Sequence, residues 1–540
     1  MSNTVSYTAH IDTFAADHLP PPELQPEFIF ELPALQFPER LNCAVELLDK
    51  HVREGRGERL CIQAEGVRWT YADLQEKANR IANVLVQQGL VPGNRVLLCA
   101  PNNSMLVASW FGVIKAGGVA VAAMPLLRAK ELSTIVDIAQ VSHALCDEAL
   151  RTEVLSAKGK CAVLQHVLFF NSNNAADALE PLMEAASAQF NAVDTAATDT
   201  CLLGFTSGTT GIPKATMHFH RDVMAVCACW PVSTLRANAD DVFIGSPPLA
   251  FTFGLGGQVL FPMAIGASMA LLEKAGPMQL VDGLEKFGAT VMFTAPTSYR
   301  VMAQQSERLR RTKLRKCVSA GEALTASTRA LWKAATGIEI IDGLGSTEML
   351  HIFISHREED ARPGATGKAV PGYHAKVVGD DGHELPAGTV GKLAVQGPTG
   401  CRYLNDSRQT KYVSRGWNLT GDAYLMDEDG YFIYQARTDD MIISAGYNIA
   451  APEVEEALMQ HAAVAECAVI GVPDSERGQI VKAFVVLRAG YAASDAMSME
   501  LQDFVKSTVA PYKYPRAVQF VAQLPRTATG KLQRFRLHET

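Results

Sequence analysis

A layered α/β fold is the class this sequence predicts. It comprises a large N-terminal domain of α/β subdomains with a β subdomain, followed by a small α+β C-terminal domain. Helix-like and strand-like segments alternate up to about residue 345, the pattern of mostly parallel sheets covered by helices. Around residues 370–435 the texture becomes short β-rich runs separated by turns such as Gly379-Asp380-Asp381-Gly382 and Asp429-Gly430. After Arg437 a helix (451–461), strands (465–471 and 483–486) and a helix (near 497–508) form a unit of roughly 100 residues, a normal domain size. The domains are therefore set at 1–437 and 438–540.

Residues 1–40 carry Pro20-Pro21-Pro22, Pro26, Pro33 and Pro38, and read as an extended arm on the surface. From 72 to 88, Leu74, Ala78, Ile81, Ala82 and Leu85 recur at helical spacing. Thr70 with Asp73 forms a capping box, and Gly89 suits the C-terminal end. Residues 95–100 read as a buried strand. The apolar stretch 107–127 contains Lys115 and three glycines, so it fits a buried helix, a glycine turn and a strand better than a membrane span. Residues 201–205 fit a further buried strand.

The chain has 540 residues, 48% of them apolar and 20% charged, with a net charge of −8. Two or more globular domains follow from that length. The acidic balance argues against a general nucleic-acid or anionic-membrane surface. Eleven cysteines lie scattered between Cys43 and Cys467 without two pairs at zinc spacing, which reads as reduced, mostly buried thiols of a cytoplasmic protein. No basic and apolar leader opens the chain, and Leu-His-Glu-Thr at its end is neither a lipidation site nor a peroxisomal address.

The chemistry starts at residues 206–214. Thr206, Ser207, Thr209 and Thr210 supply hydroxyls, Gly208 and Gly211 admit positive φ and close backbone approach, and Lys214 adds a charge. Such a loop suits a polyphosphate, although its glycine spacing is not that of the Walker loop. Four further clusters follow: Ser319-Ala320-Gly321-Glu322-Ala323; Asp342-Gly343-Leu344-Gly345-Ser346-Thr347-Glu348; Thr420-Gly421-Asp422 with Arg437-Thr438-Asp439-Asp440; and Pro525 to Lys531.

In order and sequence these motifs resemble the adenylate-forming superfamily of acyl-CoA synthetases, luciferases and peptide-synthetase adenylation domains, over most of the chain. The stretch 342–350 looks like the benzoate–CoA ligase branch, and residues 8–27 with 38–49 look most like its 2-aminobenzoate–CoA ligases. The resemblance implies two half-reactions: a carboxylate attacks the α-phosphate of ATP, then CoA thiol attacks the acyl-adenylate. It implies that residues 206–214 hold the β- and γ-phosphates, that Glu348 binds Mg²⁺, and that Thr347 donates to the α-phosphate. Gly321, Glu322 and Ala323, with Asp342 and Gly343, would line the nucleotide. Asp422 and Arg437 would hold the ribose. Lys531 would bridge the substrate carboxylate and α-phosphate as the adenylation lysine. The C-terminal domain would be mobile, with Asp439 at its hinge and Ser444, Gly446 and Tyr447 swinging in for the CoA step.

By the same resemblance, residues 248–256 line the acyl pocket. Phe251 and Phe253 flank Thr252, which favours a flat ring between apolar walls. Ala320, Gly345 and His351 would close it, with His351 a candidate to touch a ring substituent. No aspartate stands between Leu249 and Gly257 to hold an α-ammonium, which counts against amino-acid adenylation. The expected activity is that of an aryl-carboxylate–CoA ligase using ATP, Mg²⁺ and CoA, on 2-aminobenzoate or benzoate. The alternatives are a medium-chain or other acyl-CoA synthetase and a non-catalytic nucleotide-binding relative. No nucleic acid or membrane partner is expected, and a homodimer remains open.

Overall fold

The computed structural model describes residues 7–173, 176–206, 212–438, 441–444, 447–474, 477–509, 511–526 and 532–538. Ser207, Gly208, Thr209, Thr210, Gly211, Asp439, Gly446 and Lys531 lie outside the described residues.

Two sheets dominate the N-terminal part. The first has six strands, running in space His166–Phe170, His143–Asp147, Arg95–Cys99, Val119–Ala123, Thr200–Thr206 and Lys214–Phe219. Its first five strands are parallel and the last turns back as an antiparallel edge. The second has nine strands, with a parallel centre and antiparallel strands at both ends. Strand Arg95–Cys99 is buried at every position, as expected where helices cover both faces.

The expected helix spans Tyr71–Gln87 and buries Leu74, Ala78, Ile81, Ala82 and Leu85. Its capping box is closed: the Asp73 N–H donates to Thr70 Oγ1 at 3.1 Å and the Thr70 N–H to Asp73 Oδ2 at 2.8 Å. Residues 107–127 resolve into helix Ser104–Lys115 and strand Val119–Ala123. Among the described residues no helix is long and apolar enough to cross a membrane. The N-terminal arm holds short turns at Phe14–Asp17, Pro22–Leu24 and Pro33–Leu35.

Contacts divide the chain into two units, Met1–Ala375 with Val395–Asn418, and Lys376–Ala394 with Leu419–Thr540. The β-rich texture appears as strands His374–Val378, Gly391–Gln396, Trp417–Met426 and Phe432–Arg437. Helices Ala451–Met459 and Asp495–Thr508 pack with strands Val464–Asp474 and Gly478–Leu487 around a core that includes Val454, Leu458, Val469, Val485 and Leu501. The ten cysteines other than Cys467 are buried free thiols.

Candidate functional site

Strands Thr200–Thr206 and Lys214–Phe219 form an antiparallel pair in which Thr206 faces Lys214. Buried apolar residues fix the register, which puts Lys214 at the loop's return. Thr206 Oγ1 is buried without a hydrogen-bond partner among the described residues.

Lys214 points at a tyrosine that the motif analysis did not select. Its Nζ donates to Tyr403 Oη at 2.6 Å, and Tyr403 Oη donates to Glu348 Oε1 at 2.5 Å. Lys214 Nζ and Glu348 Oε1 are 3.6 Å apart. Glu348 is buried, yet its second oxygen takes part in no hydrogen bond among the described residues. One hard carboxylate oxygen of this kind fits Mg²⁺, which usually takes one or two protein carboxylates and completes its shell with water and phosphate.

Thr347 and Glu348 follow strand Ile340–Gly345. His218 Nε2 lies 2.8 Å from the Thr347 carbonyl oxygen, tying this turn to the Lys214 strand. Gly204 is required beneath it: a Cβ there would come within 2.7 Å of Thr347 Cγ2 and 3.9 Å of Thr252 Cγ2. The phosphate-loop strand, the Thr347 turn and the aromatic segment therefore meet at one glycine.

The aromatic segment is pinned by amides. Asn102 Nδ2 and Gln258 Nε2 both donate to the Pro247 carbonyl, at 2.9 and 2.7 Å, and the Leu249 N–H donates to Asn102 Oδ1 at 2.8 Å. Thr252 is buried, whereas Phe251 and Phe253 are half-buried. Leu249, Ala250 and Leu255 line an apolar cavity with Val107, Trp110 and Val259.

His351 is buried and ringed by aromatics. Phe261 meets it edge-on at 4.4 Å, and Trp230 and Phe253 lie 5.8 Å away. Gly256 lets it seat, since a Cβ there would fall 2.3 Å from His351 Cδ2. Burial pulls its pKa down to about 3, against a weaker opposing pull from the Phe253 backbone, so the ring is neutral at pH 7. Apart from that pull from the Phe253 backbone, neither ring nitrogen has a hydrogen-bond partner among the described residues. A neutral imidazole with one donor and one acceptor left over can serve a small neutral substituent.

Ala320 is buried, and Gly321 has φ of 87° with open space where a side chain would go. Glu322 is half-buried, and Ala323 and Gly345 are exposed. Asp342 sits on strand Ile340–Gly345 beside Gly343. Burial raises its carboxyl to about 7, although the Arg329 charge pulls the other way. The folded chain therefore holds a proton that an unfolded aspartate, with a pKa of about 3.9, has already lost. Stability from this group is full below about pH 4 and is lost as pH rises towards 7. Asp342→Asn should thus gain about 2–3 kcal/mol on the wild type between pH 5 and pH 8. Urea unfolding at the two pH values measures this, and an unchanged gap between the proteins would contradict it.

Within the second unit, Asp422 faces Arg437 across the pair Trp417–Met426 and Phe432–Arg437. Arg437 Nη1 donates to Asp422 Oδ1 at 2.8 Å, and Thr438 Oγ1 donates to the Gly421 carbonyl at 2.8 Å. Asp422 is buried and Arg437 exposed, so the carboxylate is oriented by a cation. Ser444 is buried and pairs in register with Gly478; Tyr447 opens the short strand Tyr447–Ile449.

Away from this site, ligand atoms of Cys43, Cys201 and His220 lie within 4.8 Å of one another. His220 Nδ1 already accepts the Cys43 N–H at 3.2 Å, so its lone pair is committed. We read this cluster as an internal hydrogen-bonded tie between the segment at Cys43 and the six-stranded sheet.

A family model described as AMP-binding enzyme matches residues 48–403, and one described as AMP-binding enzyme C-terminal domain matches residues 453–531. The chain belongs to the AMP-binding enzyme family, and to its adenylate-forming acid–CoA ligases. It is 36% identical over 521 residues to a benzoate–CoA ligase of Thauera aromatica, covering 94% of this chain and 97% of that one. It is 33% identical over 533 residues to the mitochondrial acyl-coenzyme A synthetase ACSM3 of Homo sapiens, covering 94% and 90%. Among solved structures, the anthranilate CoA ligase AuaEII in complex with anthranoyl-AMP superposes with a TM-score of 0.88 at 33% identity, covering 94% and 98%. These likenesses bear out the large N-terminal and smaller C-terminal domains expected of the α/β fold.

Proposed function

We propose that this chain is an ATP-dependent aryl-carboxylate–CoA ligase acting on 2-aminobenzoate or benzoate in the cytoplasm. The observation that carries the reading is the meeting of Thr252 and Thr347 over Gly204, which sets an aromatic-lined acyl segment directly beside the nucleotide turn. Likeness to a benzoate–CoA ligase and to an anthranilate CoA ligase supports it. In the first half-reaction an aryl carboxylate oxygen attacks the α-phosphorus of ATP and pyrophosphate leaves. Two anions approach, so catalysis rests on positioning and charge neutralisation. Lys214 and the hydroxyls of residues 206–210 hold the leaving phosphates, Thr347 donates to the α-phosphate, and Lys531 bridges the reacting oxygens. Glu348 would hold Mg²⁺, which when bound offsets phosphate charge. Gly321, Glu322, Ala323, Asp342 and Gly343 line the nucleotide, and Asp422, oriented by Arg437, accepts from the ribose hydroxyls. In the second half-reaction the CoA sulfur bonds to the carbonyl carbon, its proton is released, and AMP leaves as the C–O bond breaks. The 438–540 domain rotates about Asp439 between the two steps, bringing Ser444, Gly446 and Tyr447 to the pantetheine arm.

Ala320, Gly345, Phe251, Thr252, Phe253 and His351 bound the ring, and His351 bonds an ortho amino group without needing a charge. Aryl acids should exceed hexanoate by at least about tenfold in kcat/KM. Thr252→Leu should penalise 2-aminobenzoate more than benzoate. A panel of benzoate, 2-aminobenzoate, 4-hydroxybenzoate, phenylacetate and hexanoate, assayed for CoA thioester, tests both points. The 33% identity to an acyl-coenzyme A synthetase supports a second reading, a medium-chain or other acyl-CoA synthetase, of which that identity bears out only the acyl-CoA synthetase class. It wins if kcat/KM rises with aliphatic chain length.

A further inference from the structure

We propose that Tyr403 is a positioning residue that keeps the Lys214 ammonium and the Glu348 carboxylate apart, so that each stays available to its own ligand. The proposal rests on the reading of Lys214 as a phosphate ligand and Glu348 as a cation ligand. A phenol has one proton to give. Tyr403 gives it to Glu348 and so accepts from Lys214, whose Nζ also lies 4.5 Å above the tyrosine ring. The ammonium is thereby held 3.6 Å from Glu348 Oε1, beyond ideal hydrogen-bond length.

Tyr403 itself is fixed from all sides. Its N–H donates to Gln409 Oε1 at 2.9 Å. On either side of it, Arg402 O accepts the Met217 N–H at 2.8 Å and the Leu404 N–H donates to Ala215 O at 2.9 Å. The segment is thus laced to the Lys214 strand, and Tyr412 packs edge-on against the ring at 5.8 Å. In this trio the lysine, on a flexible stem, is the member free to swing to an incoming anion. Without the hydroxyl, the half-buried ammonium and the buried carboxylate, now 3.6 Å apart, would close into a hydrogen-bonded ion pair. Both would then be masked, and a nucleotide would have to break that pair.

The test uses full-length Tyr403→Phe. In aryl-acid-dependent ATP–pyrophosphate exchange, KM for ATP should rise about tenfold, the size expected for one hydrogen bond to a charged group. KM for the aryl acid should stay within about twofold. The rise in melting temperature that ATP gives in EDTA should largely vanish in Tyr403→Phe. It should return in Tyr403→Phe/Glu348→Gln, where no carboxylate is left to trap the lysine. Glu348→Gln in the otherwise native chain should keep that metal-free rise, a control that does not depend on how the tyrosine variant folds. If the wild type shows both signals and Tyr403→Phe alters neither, or if the double variant fails to regain the shift, the Tyr403 proposal is wrong. If the wild type shows neither ATP stabilisation nor exchange with any acid in the panel, the phosphate-site reading falls, and this proposal with it.

Discussion

Lys531→Ala should slow adenylate formation by about 10²–10³, the usual loss when one preorganised electrostatic group leaves an active site. The motif that carries Lys531, Pro525 to Lys531, closes the stretch matched by the C-terminal family model. In the proposed first half-reaction negative charge accumulates between the attacking carboxylate and the α-phosphate, and an ammonium there meets both oxygens. In the proposed second half-reaction no such charge builds up between a carboxylate and the α-phosphate, and the proposed rotation carries Lys531 away from the reacting carbonyl. Thioester formation from synthetic aryl-adenylate and CoA should therefore proceed near the wild-type rate. Equal losses in both half-reactions would show that Lys531 has no separate role in the first.

The second large effect concerns stability. Arg402 and Asp222 form a fully buried ion pair, with Nη1 to Oδ2 at 2.7 Å. The guanidinium is sandwiched between the rings of Phe28 and Phe219, each 4.0 Å away, and its Nε and Nη2 have no partner among the described residues. Burial alone would raise Asp222, yet the Arg402 charge holds it down to about 2. Its contribution is therefore present above about pH 4 and is lost only as pH falls through 2, outside any working range. Asp222→Ala strands the guanidinium and should cost about 3–5 kcal/mol. Replacing both partners, as Asp222→Leu with Arg402→Met, should recover much of that loss, because the desolvation penalty of both charges goes with them. Denaturant unfolding of the two variants at pH 7 decides it: a single-variant loss under about 1 kcal/mol would mean that water reaches the guanidinium. Because Asp222 Oδ2 is 3.8 Å from His218, which bonds the Thr347 carbonyl, the single variant should also loosen the Thr347 turn.

Elements were legible wherever a local signal was strong. The Thr70–Asp73 capping box and the apolar face of Tyr71–Gln87 are written at fixed spacing, and the structure keeps them. The change of texture near residue 370 was legible from its turns. The proposed phosphate loop rests on sequence alone, glycine, hydroxyl and lysine standing within nine residues of which 207–211 lie outside the described residues. The helix over 451–461 closes earlier, at Met459, and the strand over 465–471 runs on to Asp474, since tertiary pairing rather than local preference sets ends.

The sequence alone determined the class of fold, the family, and the types of group available for binding phosphate, a hard cation and a flat ring. All of these follow from residues close together in the chain, whose spacing and chemistry do not depend on the rest. Only the tertiary structure decided that Tyr403 stands between Lys214 and Glu348, 189 and 55 residues away in the chain. The same holds for Arg402, whose seat between Phe28 and Phe219 nothing nearby in the chain announces, and for His351, whose unpartnered nitrogens appear once three distant aromatic rings close around it. The physical reason is common to them: a polar group acquires its role from what burial leaves it to pair with, and burial is a property of the packed chain, not of neighbouring letters.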